Sequence, residues 1–182
     1  MSIRVAVFDD NAKRREGLQM LIDSTDNMSC VGAWPDCREV VRHVMETTPD
    51  VVLMDIDMPH VDGIEGVTLI RKQFKDVKIL MQTVFEDNEK IFDAILAGAN
   101  GYLLKQTAPD RILESIREAM GGGAPMTPSI ARKVLTLFAQ PFKKSGDLQS
   151  LTAREHDVLS LLVRGHSYKM AAAQLEIGVE TL

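Results

Sequence analysis

Asp55 ends the apolar run Val51-Val52-Leu53-Met54, and the breakers Pro59 and Gly63 follow shortly after. A short continuous apolar run bounded by breakers reads as a strand buried on both faces. In open α/β sheets the carboxyl ends of such strands are where ligands bind. A carboxylate at that point either caps the next loop or does chemistry. Three more strand-like runs end in polar groups: residues 3–8 lead into Asp9 and Asp10, residues 78–83 end at Thr83, and residues 101–104 lead into Lys105. Three carboxylates brought together repel, and each tends to hold its proton unless a cation shares the site. Oxygen donors in that number suit a hard ion such as Mg²⁺, which keeps several of its waters. Lys105 would add a point charge from the far side. A carboxylate beside a bound cation and a lysine is poised to attack phosphorus, with both charges offsetting the transferring oxygens. The same residues could form a structural acid cluster or a calcium site, although EF-hand spacing is absent.

For these residues to meet, the elements between them must alternate. Ile3 to Phe8 is a strand, and the helix after Asn11 carries Leu18, Leu21 and Ile22 on one face. Met28 to Ala33 is a second strand, and Asp36 is placed to cap a helix bearing Val40, Val41, Val44 and Met45. The central strand, 51–55, is followed by a helix with Val67, Ile70 and Phe74 inward. After the fourth strand, Asp87 caps a helix bearing Ile91, Ile95 and Leu96. After the short fifth strand, Pro109 opens a helix with Ile112, Leu113, Ile116 and Met120 inward. Five strands alternating with five helices predict a doubly wound parallel sheet of the flavodoxin-like order 2-1-3-4-5. In that order strands 1 and 3 are neighbours, so Asp9 and Asp10 converge with Asp55.

Over residues 1 to about 120, five separated motifs resemble the receiver domain of two-component response regulators. They are Asp9-Asp10, Leu53-Met-Asp55-Ile-Asp57-Met-Pro59, Asp62-Gly63, Thr83, and Tyr102 with Lys105. The resemblance implies that Asp55 accepts phosphate from a sensor histidine kinase. It also implies Mg²⁺ held by Asp10 and Asp55 side chains, by the Asp57 backbone carbonyl and by Asp9 mainly through water. Thr83 would hydrogen-bond the phosphoryl group, and Tyr102 would swing inward as Thr83 moves. Many receivers carry proline after the lysine, where this chain has Gln106. Asp55-Ile-Asp57 also resembles the DxD of haloacid-dehalogenase-type phosphatases, in which the second aspartate is a general acid. There a Thr or Val usually stands where this chain has Pro59, and the Asp9-Asp10 pair has no role in that scheme.

The remainder of the chain has a different character. Residues 1–120 are net acidic and residues 121–182 net basic, which suggests two modules with different partners. Gly121-Gly122-Gly123 breaks the preceding helix, and Thr127-Pro128 starts one carrying Ile130, Val134, Leu137 and Phe138. This stripe is placed to pack on a neighbouring domain, and residues 140–150 make a mobile connection. Leu151-Thr152-Ala-Arg-Glu155 is a capping box that starts a helix with Val158, Leu159 and Leu162 apolar. A second short helix with Met170, Ala171 and Leu175 and the start of a third fit either a helix-turn-helix or a small helical bundle. This segment is similar to the LuxR-type helix-turn-helix, and with a receiver in front the chain resembles the NarL/FixJ class of response regulators. The expected domains are a receiver over 1–121, a linker with one helix over 122–149, and a partial DNA-binding module over 150–182. The third helix begins only at Val179, so the DNA-contacting residues are expected to lie beyond Leu182. The resemblance implies DNA and a phosphorylation-dependent homodimer as partners; a receiver adaptor acting by protein contact is the other non-enzymatic reading. No apolar run approaches the ~18 residues that span a bilayer, so no membrane partner is expected. Cys30 and Cys37 form no CxxC pair and the four histidines have no metal-ligand spacing, which fits reduced thiols and a cytoplasmic setting.

Overall fold

The computed structural model describes residues 2–84 and 87–139. The chain divides into two units, Met1–Ala139 and Gln140–Leu182, and every element below lies in the first. Strands β1 (Ile3–Phe8), β2 (Met28–Trp34), β3 (Val51–Asp55), β4 (Lys78–Thr83) and β5 (Gly101–Leu104) form one parallel sheet in the order β2-β1-β3-β4-β5. Between and after them run α1 (Ala12–Asp23), α2 (Val40–Thr47), α3 (Gly63–Gln73), α4 (Asn88–Leu96), α5 (Pro109–Met120) and α6 (Pro128–Ala139). This is the flavodoxin-like doubly wound fold that the alternation predicts.

Successive side chains on a strand point to opposite sheet faces, and the core divides accordingly. Val5, Val7, Val51, Leu53 and Leu80 pack against Leu18 and Ile22 of α1 and Ile112 and Ile116 of α5. Ala6, Phe8, Val52, Met54, Ile79, Met81, Tyr102 and Leu104 pack against α2, α3 and α4 on the other side. Because β3 is buried along its whole length on both faces, it reads as unbroken apolar sequence. The register pairs Phe8 with Met54, Asp55 with Gln82 and Thr83 with Leu104. Asp9 and Asp55 are therefore level at one end of the sheet, Lys105 lies two residues past Leu103, the β5 residue level with them, and the parity of all three is that of the α1–α5 side.

Asn11, Asp62 and Asp87 cap α1, α3 and α4 with their side chains, and Pro109 opens α5. Asp36 does not cap α2: its carboxylate accepts from the Arg38 amide at 3.0 Å and holds the Arg38 guanidinium at 2.8 Å. With that carboxylate engaged and Cys37 drawn into the core, the helix starts later, at Val40. Met45 and Leu96 are exposed, and Met120, expected inward, is exposed as well; Ala119 takes the inner position at the end of α5. Each of the three lies towards the C-terminal end of its helix.

The chain after α5 folds back on the sheet. Gly122 turns it with φ of 85°, and the Tyr102 amide donates to the Pro125 carbonyl at 2.9 Å. Met126 forms a parallel bridge with Tyr102, so residues 125–127 extend the sheet beside β5. A Cβ on Gly101 would stand 2.6 Å from the Pro125 oxygen, so only glycine admits this approach. Ile130 of α6 is fully buried in the α2–α4 core, with Met126 and Val134 packed against it.

Among the described residues no helix is long and apolar enough to cross a membrane, and every peptide bond, including that before Gln106, is trans. The side chains of Leu137 and Phe138, the 140–150 connection, and the Thr152–Glu155 capping box with the helices read after it lie outside the described residues.

Candidate functional site

Asp55 is 2% exposed at the end of β3, and its Oδ2 accepts from Lys105 Nζ at 2.6 Å. Burial pushes its pKa up, Lys105 pulls it back without cancelling the effect, and the charge of Asp9 adds to the rise. Asp9 is 1% exposed. Its Oδ1 accepts from the Asn11 amide at 2.9 Å and fixes the start of α1. Its Oδ2 lies 3.2 Å from Lys105 Nζ and 3.1 Å from Arg14 Nε, but neither contact has hydrogen-bond geometry. That oxygen is held by charge alone. Asp10 is exposed at the rim. Carboxylate oxygens of Asp9, Asp10 and Asp55 lie within 4.8 Å of one another. An all-oxygen donor set with one buried, unbonded anionic oxygen fits a hard divalent ion. The acidic cluster and Lys105 thus meet in one pocket, as the strand order requires.

The β3–α3 loop is built to bring a helix start against Asp55. The Gly63 amide donates to the Ile56 carbonyl at 2.8 Å, and a Cβ on Gly63 would stand 1.8 Å from the Asp55 carbonyl oxygen. Any side chain there would push α3 off the strand end. His60, two residues before the Asp62 cap, takes the left-handed region with φ of 70° to complete the turn. The Asp57 side chain points away from Asp55 to Lys90 of α4, with Nζ to Oδ1 at 2.6 Å. Its carboxylate is therefore paired and half in solvent, unlike a general acid poised over a buried nucleophile. This geometry weighs against the haloacid-dehalogenase reading.

Thr83 is fully buried one residue beyond Gln82, the register partner of Asp55. By parity it faces the same side of the sheet as Tyr102. The Tyr102 ring is 1% exposed; burial pushes its phenol pKa far up, and the neighbouring Thr83 hydroxyl opposes that rise. Tyr102 is thus inward in this structure, and its main chain is held by the 125–127 segment.

Three contacts around the pocket were not among the residues singled out from sequence. Arg14 reaches from α1 to Asp9, to Gln82 Oε1 at 2.6 Å and to the Lys105 carbonyl at 2.9 Å. Arg15 Nη1 donates to the Asp9 and Asp10 carbonyls at 2.7 and 2.9 Å. Lys90 holds Asp57. A signal for the arginines was present. Lys13, Arg14 and Arg15 sit in the first turn of α1, where no acid accompanies them and the helix dipole disfavours cations. Such a placement asks for an acidic partner nearby. Lys90 gave no comparable signal, because a lysine on an exposed helix start is ordinary.

Residues 5–117 match the family model of the response regulator receiver domain. The chain is 34% identical over 180 residues to the transcriptional regulatory protein LiaR of Bacillus subtilis, covering 99% of this chain and 85% of that protein. It is also 34% identical over 180 residues to a nitrate/nitrite response regulator protein homolog of Haemophilus influenzae, with 99% and 85% covered. A solved LuxR-family two-component response regulator from Aurantimonas sp. is similar with a TM-score of 0.71 at 31% identity, covering 76% of this chain and 99% of that one. A five-stranded receiver sheet, its acidic strand-end pocket and regulators matched along nearly the full sequence agree: this chain belongs to the response regulators of the NarL/FixJ class.

Proposed function

We propose that this chain is a phosphorylation-controlled transcription regulator whose Asp55 accepts a phosphoryl group from a sensor histidine kinase. The observation that carries the reading is the buried Asp55 carboxylate, 2.6 Å from Lys105 Nζ with two further carboxylates alongside. Asp10 and Asp55 side chains and the Asp57 backbone carbonyl would hold Mg²⁺, with Asp9 contributing mainly through water. When bound, the ion offsets charge on the equatorial phosphoryl oxygens. An Asp55 oxygen attacks phosphorus, an acyl phosphate forms, and the bond from phosphorus to the donor atom breaks. Lys105 stays on the opposite side as a fixed positive charge for the same oxygens. Thr83 then hydrogen-bonds the phosphoryl group, and Tyr102 keeps or takes the inward position as Thr83 moves. Tyr102's main chain is bonded to the segment leading into α6, so this shift is passed to the connection that precedes residues 140–182. A two-state element biased by a local charge change is the general form of such a switch. The output is DNA binding by the module that includes residues 150–182, coupled to homodimerisation, in a cytoplasmic setting.

The test is incubation with radiolabelled acetyl phosphate and Mg²⁺. Wild-type protein takes up about one acid-labile phosphate per chain, and EDTA or Asp55→Asn abolishes uptake. Label that persists in Asp55→Asn, or steady turnover of many phosphoesters, contradicts the reading. Salt-dependent, sequence-selective DNA binding distinguishes the transcription regulator from an adaptor acting by protein contact.

A further inference from the structure

Arg14 stands where a helix least favours a cation, yet both terminal nitrogens of its guanidinium are hydrogen-bonded. Nε faces Asp9 Oδ2 at 3.1 Å, Nη2 donates to Gln82 Oε1 at 2.6 Å, and Nη1 donates to the Lys105 carbonyl at 2.9 Å. These contacts tie α1 to the ends of β1 and β4 and to the residue after β5. All three anchor residues have the parity of the α1–α5 side of the sheet, which is why one side chain from α1 reaches them together. The Asp9 oxygen receives charge from Arg14 without a well-formed hydrogen bond. The same oxygen belongs to the cluster that fits a divalent ion.

We propose that Arg14 is the resident counter-cation of this pocket: a positioning residue that steadies Asp9 and the Lys105 backbone without metal, and thereby lowers the pocket's affinity for a divalent ion. This rests on the phosphoacceptor reading above. Lys105 has a flexible stem and a second anion, Asp55, to satisfy. Arg14 is tethered at both terminal nitrogens and cannot withdraw when an ion approaches Asp9. One fixed unit charge beside a divalent ion at a pocket edge changes ion affinity by about three- to tenfold.

Calorimetric titration of the full 182-residue chain with MgCl₂ tests this. Arg14→Met binds Mg²⁺ about three- to tenfold more tightly than wild type, and Arg14→Lys, which restores the charge, returns the affinity towards wild type. A purely structural role for Arg14 would weaken binding in both variants. A folded Arg14→Met protein that binds Mg²⁺ no more tightly than wild type overturns the proposal. Should Arg14→Met not fold, the Arg14 Nε–H resonance of wild-type protein decides: a shift that saturates with the ion supports it, and an unmoved resonance overturns it. Wild-type protein that takes up no Mg²⁺ removes the phosphoacceptor reading itself, and this inference with it.

Discussion

Asp55 sits in a conflict that its surroundings only partly resolve. Burial raises its pKa, Asp9 adds to the rise, and Lys105 falls short of offsetting them. The carboxyl therefore binds its proton more tightly in the folded than in the unfolded chain. Protonated Asp55 favours folding below the ordinary carboxylate range, and that contribution is lost as pH rises through the elevated folded value. In metal-free protein, Asp55→Asn is accordingly expected to melt above wild type at pH 7.5, with the gap closing as pH falls to about 4, near the unfolded value. Thermal unfolding across that range checks it, and a gap independent of pH would contradict it. Gly63 makes a second residue-scale case. Gly63→Ala places a methyl group against the Asp55 carbonyl, so it should cost about 1–3 kcal/mol in urea unfolding and slow phosphoryl uptake together. Asp9, Asp10, Asp55 and Lys105 were legible in the sequence because each closes an apolar run, and parallel strands in this order bring their ends to one edge. Arg14 and Lys90 were not singled out, because what a long side chain reaches depends on packing between elements distant in the chain.

At the scale of elements, the strands and most helices could be read directly, since strands buried on both faces appear as unbroken apolar stretches. The start of α2 is not legible, because Asp36 has the right type for a cap but is held by Arg38 two residues on. Periodicity places Met120 inward on α5, but Met120 is exposed and Ala119 is buried in its stead. The return of residues 125–134 onto β5 and the α2–α4 core had only a partial signal, the apolar stripe of α6. Pairing with Tyr102 uses main-chain groups, which leave no mark in side-chain pattern. If Ile130 is a core residue of the first unit, Ile130→Ala should lower its unfolding free energy by about 2–5 kcal/mol. Denaturant unfolding followed at Trp34, the one tryptophan and a neighbour of Phe8 in the same unit, reads this directly. A change under about 0.5 kcal/mol, the range of ordinary surface substitutions, would show that α6 does not belong to that core.

For the whole molecule, the function rests on the polarity of the sheet. Five parallel strands place Asp9, Asp10, Asp55, Thr83 and Lys105 at one edge although they span residues 9 to 105. No shorter piece of the chain assembles that set. The acidic first part and basic second part fit two modules with different partners. The most direct test of this account is the address of the phosphoryl group. Protein treated with acetyl phosphate and Mg²⁺ is reduced with borohydride, which converts a phosphorylated aspartate to homoserine, and the chain is mapped by peptide mass spectrometry. The account predicts homoserine at position 55 alone, and none when Mg²⁺ is withheld. Homoserine at Asp9, Asp10 or Asp57 in place of Asp55, or equal conversion without the ion, would contradict it.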